Sequence, residues 1–153
     1  VLYLFEPETG ALTPKLEGFR TINGLAWDAG RNRLFLSDSN PAVQTAWTCP
    51  VSPAGALGPR AEFARFHDLE GRPDGAMIDA NGAYWIAGID GGVIYRFAPD
   101  GTLDARFAVG MAKPTKPAQV DTPGGPAIVL TSFDDDGIGG RLCLWRDPPL
   151  GAI

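Results

Sequence analysis

The chain has 153 residues, 44% hydrophobic and 20% charged, which allows one folded core and argues against a disordered segment. Eighteen acidic residues against 13 basic ones give a net charge of −5 and an isoelectric point near 4.7. That balance excludes the basic face by which nucleic-acid binders hold phosphate, and no apolar run is long enough to span a bilayer as a helix.

Gly 20 and Pro 14 punctuate the chain densely, which favours short strands and turns over helices. Residues 1–5 lack a basic flank and a small-residue cleavage site, so they do not read as a signal peptide. They also lack an initiator Met. Cys49 and Cys143 belong to no metal-ligand spacing and read as buried free thiols of a cytoplasmic protein, with a disulfide left open.

In chain order, residues 2–5 read as a strand, Glu6-Pro7-Glu8-Thr9-Gly10 as a turn, and residues 12–16 as the returning strand. The phrase Ile22-Asn23-Gly24 precedes paired strands at 25–27 and 34–36. Asn40-Pro41 breaks the run. Residues 45–51 make a third strand, Ser52-Pro53-Ala54-Gly55 turns the chain, and residues 61–66 alternate with period two, as a half-buried strand does. The pattern then restarts. Gly71-Arg72-Pro73-Asp74-Gly75 leads into strands at 76–79, 84–87, 93–97 and 105–109, the first two joined by a tight Asp79-Ala80-Asn81-Gly82 turn. Pro99-Asp100-Gly101 turns the chain where Ser52-Pro53-Ala54-Gly55 did before. A third set follows Pro114-Thr115, at 118–120, 128–131 and 142–145.

The organisation is therefore two, four, four and three strands. Four strands per unit at a period of about 40–50 residues is the signature of a β-propeller blade. The chain reads as all-β, about three blades of a propeller. A β-sandwich, the next candidate, leaves the returning phrase unexplained. Both ends fall inside a blade, and closed propellers have at least about four blades. Residues 1–153 thus read as part of a larger propeller, with edge strands open to self-association.

Superposing the phrases puts Asn23 on Asp74 and on Thr115, each in the loop before an innermost strand and facing a central channel. Convergent oxygen donors, one carboxylate among neutral groups, suit a hard divalent cation, and Asp74 beside it could take a proton from water. The plainer reading stands next to this one: Asn-Gly and Asp-Gly are also common turn dipeptides. Asp28 and Asp79 read as turn residues, and Asp38 as a polar residue bonded to nearby backbone. His67, the one histidine, reads as solvated. Asp134-Asp135-Asp136-Gly137 lacks the alternate spacing and distant Glu of an EF-hand and reads as a solvated loop. Gly88-Ile89-Asp90-Gly91-Gly92 has no following helix and is no phosphate loop.

Ile22-Asn23-Gly24-Leu25-Ala26-Trp27, Leu34-Phe35-Leu36-Ser37-Asp38-Ser39, Gly71-Arg72-Pro73-Asp74-Gly75-Ala76 and Tyr84-Trp85-Ile86-Ala87 together resemble the SMP-30/gluconolactonase/luciferin-regenerating-enzyme family. Val93-Ile94-Tyr95-Arg96-Phe97-Ala98-Pro99-Asp100-Gly101 and Gly139-Gly140-Arg141-Leu142 extend the match along nearly the whole chain. The resemblance implies a six-bladed propeller with one divalent cation, calcium, zinc, magnesium or manganese, that hydrolyses sugar lactones to aldonic acids. Carried over by motif, Asn23 and Asp74 are metal ligands, and Asp74 is the general base.

The chain resembles only the C-terminal half of that fold, so the family's N-terminal Glu ligand and a substrate-binding Asn and Arg have no counterpart. Ile22 stands where the family has Pro, and Val120-Asp121-Thr122 where it has Phe-Gly-Gly. The expectation is a lactonase half, inactive alone, whose partners are the missing half or its own open edges. A non-catalytic propeller module is the alternative, and a strictosidine-synthase or paraoxonase type fits the phrases less well.

Overall fold

A computed structural model describes residues 1–133 and 140–149. The acidic run at 134–137 lies outside the described residues. The strands β1 (Leu2–Glu6) and β2 (Ala11–Leu16) form a two-stranded sheet. A four-stranded sheet follows in the order β3 (Ile22–Asp28), β4 (Arg33–Asp38), β5 (Thr45–Pro50), β6 (Ala61–Arg65). The next is β7 (Pro73–Ile78), β8 (Tyr84–Gly88), β9 (Val93–Phe97), β10 (Leu103–Ala108). The last is β11 (Pro114–Thr122), β12 (Gly125–Ser132), β13 (Leu142–Arg146). All neighbours are antiparallel, and one 3₁₀ turn at Ile89–Gly91 joins β8 to β9. No helix among the described residues is long and apolar enough to cross a membrane.

The architecture is the expected one: all-β, two full propeller blades, with a three-stranded sheet after them and a hairpin before. The innermost strands pack side by side, β3 on β7 and β7 on β11. Aspartates set the ends of several strands. Asp79 Oδ1 accepts the Asn81 and Ala83 N–H groups (2.9 and 3.0 Å), and Asp100 Oδ1 accepts that of Thr102 (2.9 Å). Each thereby closes its turn with a side chain in place of a backbone carbonyl.

The core lies between sheets. On β8 the side chains alternate faces. Tyr84 and Ile86 join Phe35, Phe66 and Phe97 against the preceding blade, while Trp85 and Ala87 join Ile94, Ile128 and Leu130 against the following one. That strand is buried throughout, which explains why its sequence is apolar without alternation. The Tyr84 ring stacks on Phe35 at 4.6 Å, and the Trp85 ring on Phe107 at 5.5 Å. Side chains of this size contribute roughly 1.5–3 kcal/mol each when fully buried. By contrast, β1–β2 leaves Phe5 and Leu12 exposed, and β13 leaves Leu142 and Leu144 exposed.

One detail departs from expectation. The repeat predicts Asn23, Asp74 and Thr115 in loops before the innermost strands. They lie inside β3, β7 and β11, where the pairing register slips at the same point of each blade: between Asn23 and Ala26, between Pro73 and Ala76, and between Pro114 and Lys116. Each is a β-bulge, which re-aims a side chain without ending the ladder. Asn23-Gly24 and Asp74-Gly75 therefore close no hairpin turn.

Both cysteines are free, but only Cys49 is buried; Cys143 is exposed because it sits on β13, the outermost described strand of its sheet.

Candidate functional site

The bulges of β3 and β7 bring Asn23 and Asp74 together across two blades. The Asn23 amide Nδ2 donates to Asp74 Oδ1 in a short hydrogen bond, while Asn23 Oδ1 accepts the Gly24 N–H at 3.1 Å. Gly24 adopts the left-handed backbone region (φ 63°), as the first bulge requires. Gly75 serves the second bulge differently: a Cβ there would stand 2.6 Å from the Thr115 carbonyl oxygen, so only glycine lets β7 approach β11.

Asp74 is half-buried, and desolvation pushes its carboxyl above the ordinary aspartate range. The Asn23 hydrogen bond, the nearby Arg72 charge and the Gly75 N–H pull the other way, and Asp90 adds a repulsion. Arg72 is engaged elsewhere: its Nε and Nη2 grip Asp90 at 2.5 and 3.3 Å. That bond holds the Asp90 carboxyl below its usual range, against a smaller opposing effect of burial. The site thus presents a partly desolvated carboxylate beside an amide, with a cation–anion pair on its flank.

The backbone on either side is held from the neighbouring blade. Tyr84 Oη donates to the Gly24 carbonyl at 2.7 Å, and Ser39 Oγ donates to the Pro73 carbonyl in a short bond. The sequence carries no signal for either bond, because each hydroxyl lies tens of residues from its partner. Arg72 and Asp90 were likewise unassigned.

The other candidates are not gathered there. The Thr115 hydroxyl pairs with Thr131 Oγ1 at 2.7 Å in its own blade. His67 is exposed. Asp28 ends β3 and Asp79 lies one residue past β7, at the opposite ends of those strands from Asn23 and Asp74. Both are turn residues, and both are also buried ion-pair hubs. Asp28 holds Arg33 at 3.0 Å, and Asp79 holds Arg96 at 3.2 Å and Trp85 Nε1 at 2.9 Å. A cavity of about 500 Å³ lies at that end, lined by Trp27, Arg31, Gln119 and Asp121 among others, but the two buried carboxylates in its wall are already paired. Asp38 accepts three backbone N–H groups, from Arg20, Thr21 and Asn40, and clamps a loop.

The model of the SMP-30/Gluconolactonase/LRE-like region matches residues 1–131. The chain belongs to this family. It is 42% identical over 84 residues to 6-deoxy-6-sulfogluconolactonase of Pseudomonas putida, covering 53% of this chain and 28% of that protein. It is 29% identical over 140 residues to pentonolactonase XacC of Haloferax volcanii, covering 89% and 46%. Its fold is that of a calcium-binding protein, regucalcin from Agrobacterium tumefaciens, with a TM-score of 0.80 at 23% identity over 94% of this chain and 51% of that one. The chain spans about half or less of the length of each of these relatives.

The donor set fits the divalent cation that the family implies. Asp74 is a carboxylate short of positive charge, and Asn23 carries an amide oxygen, both hard donors. With the amide nitrogen turned to Asp74, the two side chains satisfy each other directly. A half-turn of the amide would point two oxygens at one another, an arrangement that a cation between them stabilises. Among the described residues, no three His, Cys, Asp or Glu side chains converge, so this pair would bring one charged donor to a cation.

Proposed function

We propose that this chain is the C-terminal half of a metal-dependent sugar lactonase, with Asn23 and Asp74 as ligands of one divalent cation and Asp74 as general base. The observation that carries the reading is the Asn23–Asp74 contact, made across 51 residues by matching bulges of two blades, in a family member whose relatives include named lactonases.

When bound, the cation would polarise a lactone carbonyl and lower the pKa of a water. The oxygens of Asn23 and Asp74 are hard and few, and do not select among calcium, magnesium, manganese and zinc. Asp74 has carboxylate lone pairs beyond those used by Asn23 and Gly75. Its half-burial raises its proton affinity, which suits a group that must take a proton from water. As the water oxygen joins the carbonyl carbon and the ring C–O bond breaks, that proton passes by way of Asp74 to the departing hydroxyl. The product is an open hydroxy acid. Arg72 is taken up by Asp90, which leaves the Asp74 carboxylate for the cation.

By the family pattern, a further carboxylate ligand comes from the other half of the propeller, so the 153 residues alone are expected to be inactive. The reading places the protein in the cytoplasm, with a small sugar lactone as substrate.

The test is acid release from a panel of aldonolactones with added divalent metals, using protein expressed from the complete reading frame, with Asp74→Asn alongside. Metal-dependent turnover that falls by about 10²-fold or more in the variant is the expected result. Turnover unchanged in Asp74→Asn removes this site. No turnover by well-folded native protein moves the reading to a binding module.

A further inference from the structure

The two hydroxyl bonds beside the site are reciprocal. Tyr84 belongs to the second blade and holds the Gly24 carbonyl, next to Asn23 of the first. Ser39 follows β4 of the first blade and holds the Pro73 carbonyl, next to Asp74 of the second. Both donors are almost wholly buried, at 0% and 4% exposure. Each bond lands on the backbone of a bulge, the one point of an innermost strand where the ladder does not fix the register.

From this we infer that Ser39 and Tyr84 are positioning residues, a crossed clamp that fixes the Asn23 and Asp74 side chains relative to each other. This deepens the lactonase reading and rests on it for its purpose, though not for its geometry. A bulge without such a clamp has freedom to rotate its side chain, and the Asn23–Asp74 contact depends on both bulges at once. The Tyr84 ring is held independently by its stack on Phe35, so the hydroxyl is separable from the packing. The same holds for Ser39, whose removal to Ala deletes one oxygen.

The variants are Tyr84→Phe, Ser39→Ala and the pair, with Thr122→Val as control. Thr122 makes a like hydroxyl-to-carbonyl bond, to Gly125 at 2.8 Å, at the far end of β11. Two quantities are read besides melting temperature. The first is water exchange of the Asn23 side-chain amide protons by NMR, which sees the Asp74 bond without metal or substrate. Each clamp variant is expected to speed it about fivefold, the worth of one hydrogen bond, with the control unchanged. The second is Mn²⁺ affinity by calorimetry, expected to weaken about tenfold or more. Asn23 exchange at the native rate in both single variants and the pair overturns the clamp, whatever the melting temperatures do. Native protein expressed from the complete reading frame that binds no Mn²⁺ and opens no lactone overturns the lactonase reading instead, and leaves the clamp to be judged on Asn23 exchange.

Discussion

Two aspartates at the two ends of β7 show how differently the same side chain can be used. Asp74 sits at the start of β7 with desolvation pushing its pKa up, so its folded value lies above its unfolded one. Such a group gives up stability as pH rises through that window. Asp74→Asn is therefore expected to melt at or above the native temperature at neutral pH, although it removes the proposed general base; a marked fall in melting temperature would argue that Asp74 is structural. Asp79, one residue past the other end of β7, is the reverse case. It accepts from Asn81, Ala83, Trp85 and Arg96 while nearly fully buried. Asp79→Ala leaves those donors without their acceptor and is expected to cost about 3–5 kcal/mol, read from denaturant midpoints. Asp90 gives a pH test of its own. Its folded pKa is lowered, so its bond to Arg72 contributes stability above the ordinary aspartate range and loses it as pH falls towards the lowered value. Stability measured against pH in that acid window should fall less steeply in Asp90→Asn; an identical slope would show that the pair adds no stability.

At the scale of the element, the bulge decides what the innermost strands can do. Strand number and order were legible in the sequence because turn residues and period-two alternation mark them. The repeated phrase marked Asn23 and Asp74 because both carry oxygen at one point of the repeat. What the sequence left unread is the backbone state of that point. Asn-Gly and Asp-Gly serve turns and bulges equally, and only the partner strand shows which. The Tyr84 and Ser39 bonds were out of reach for a related reason: a hydroxyl names no acceptor, and both acceptors are carbonyls that every residue has. Gly75 offers the sharpest test at this scale. Gly75→Ala must push β7 from the Thr115 carbonyl, and is expected to cost about 1–3 kcal/mol. Melting at the native temperature would show that the two strands are not held so close.

For the whole molecule, burial is greatest in the middle blade and falls away towards both ends. β8 is covered on both faces, whereas Phe5, Leu12, Leu142 and Leu144 face outward from the terminal sheets. Apolar side chains on edges that no described strand pairs favour association. The 153-residue chain on its own is expected to self-associate with rising concentration in sedimentation velocity, and a single monomeric boundary throughout would refute this. The crossed hydroxyls also bear on how such proteins can be recombined. Blades look like interchangeable cassettes, and the segment between Arg65 and Pro73 looks like a natural place to splice one relative onto another. A splice there would take Ser39 and Gly24 from one parent and Pro73 and Tyr84 from the other, dividing both bonds at a stroke. The smallest portable piece of this fold is accordingly a pair of adjoining blades, and hybrids joined outside such a pair should keep their chemistry more often than hybrids joined within it.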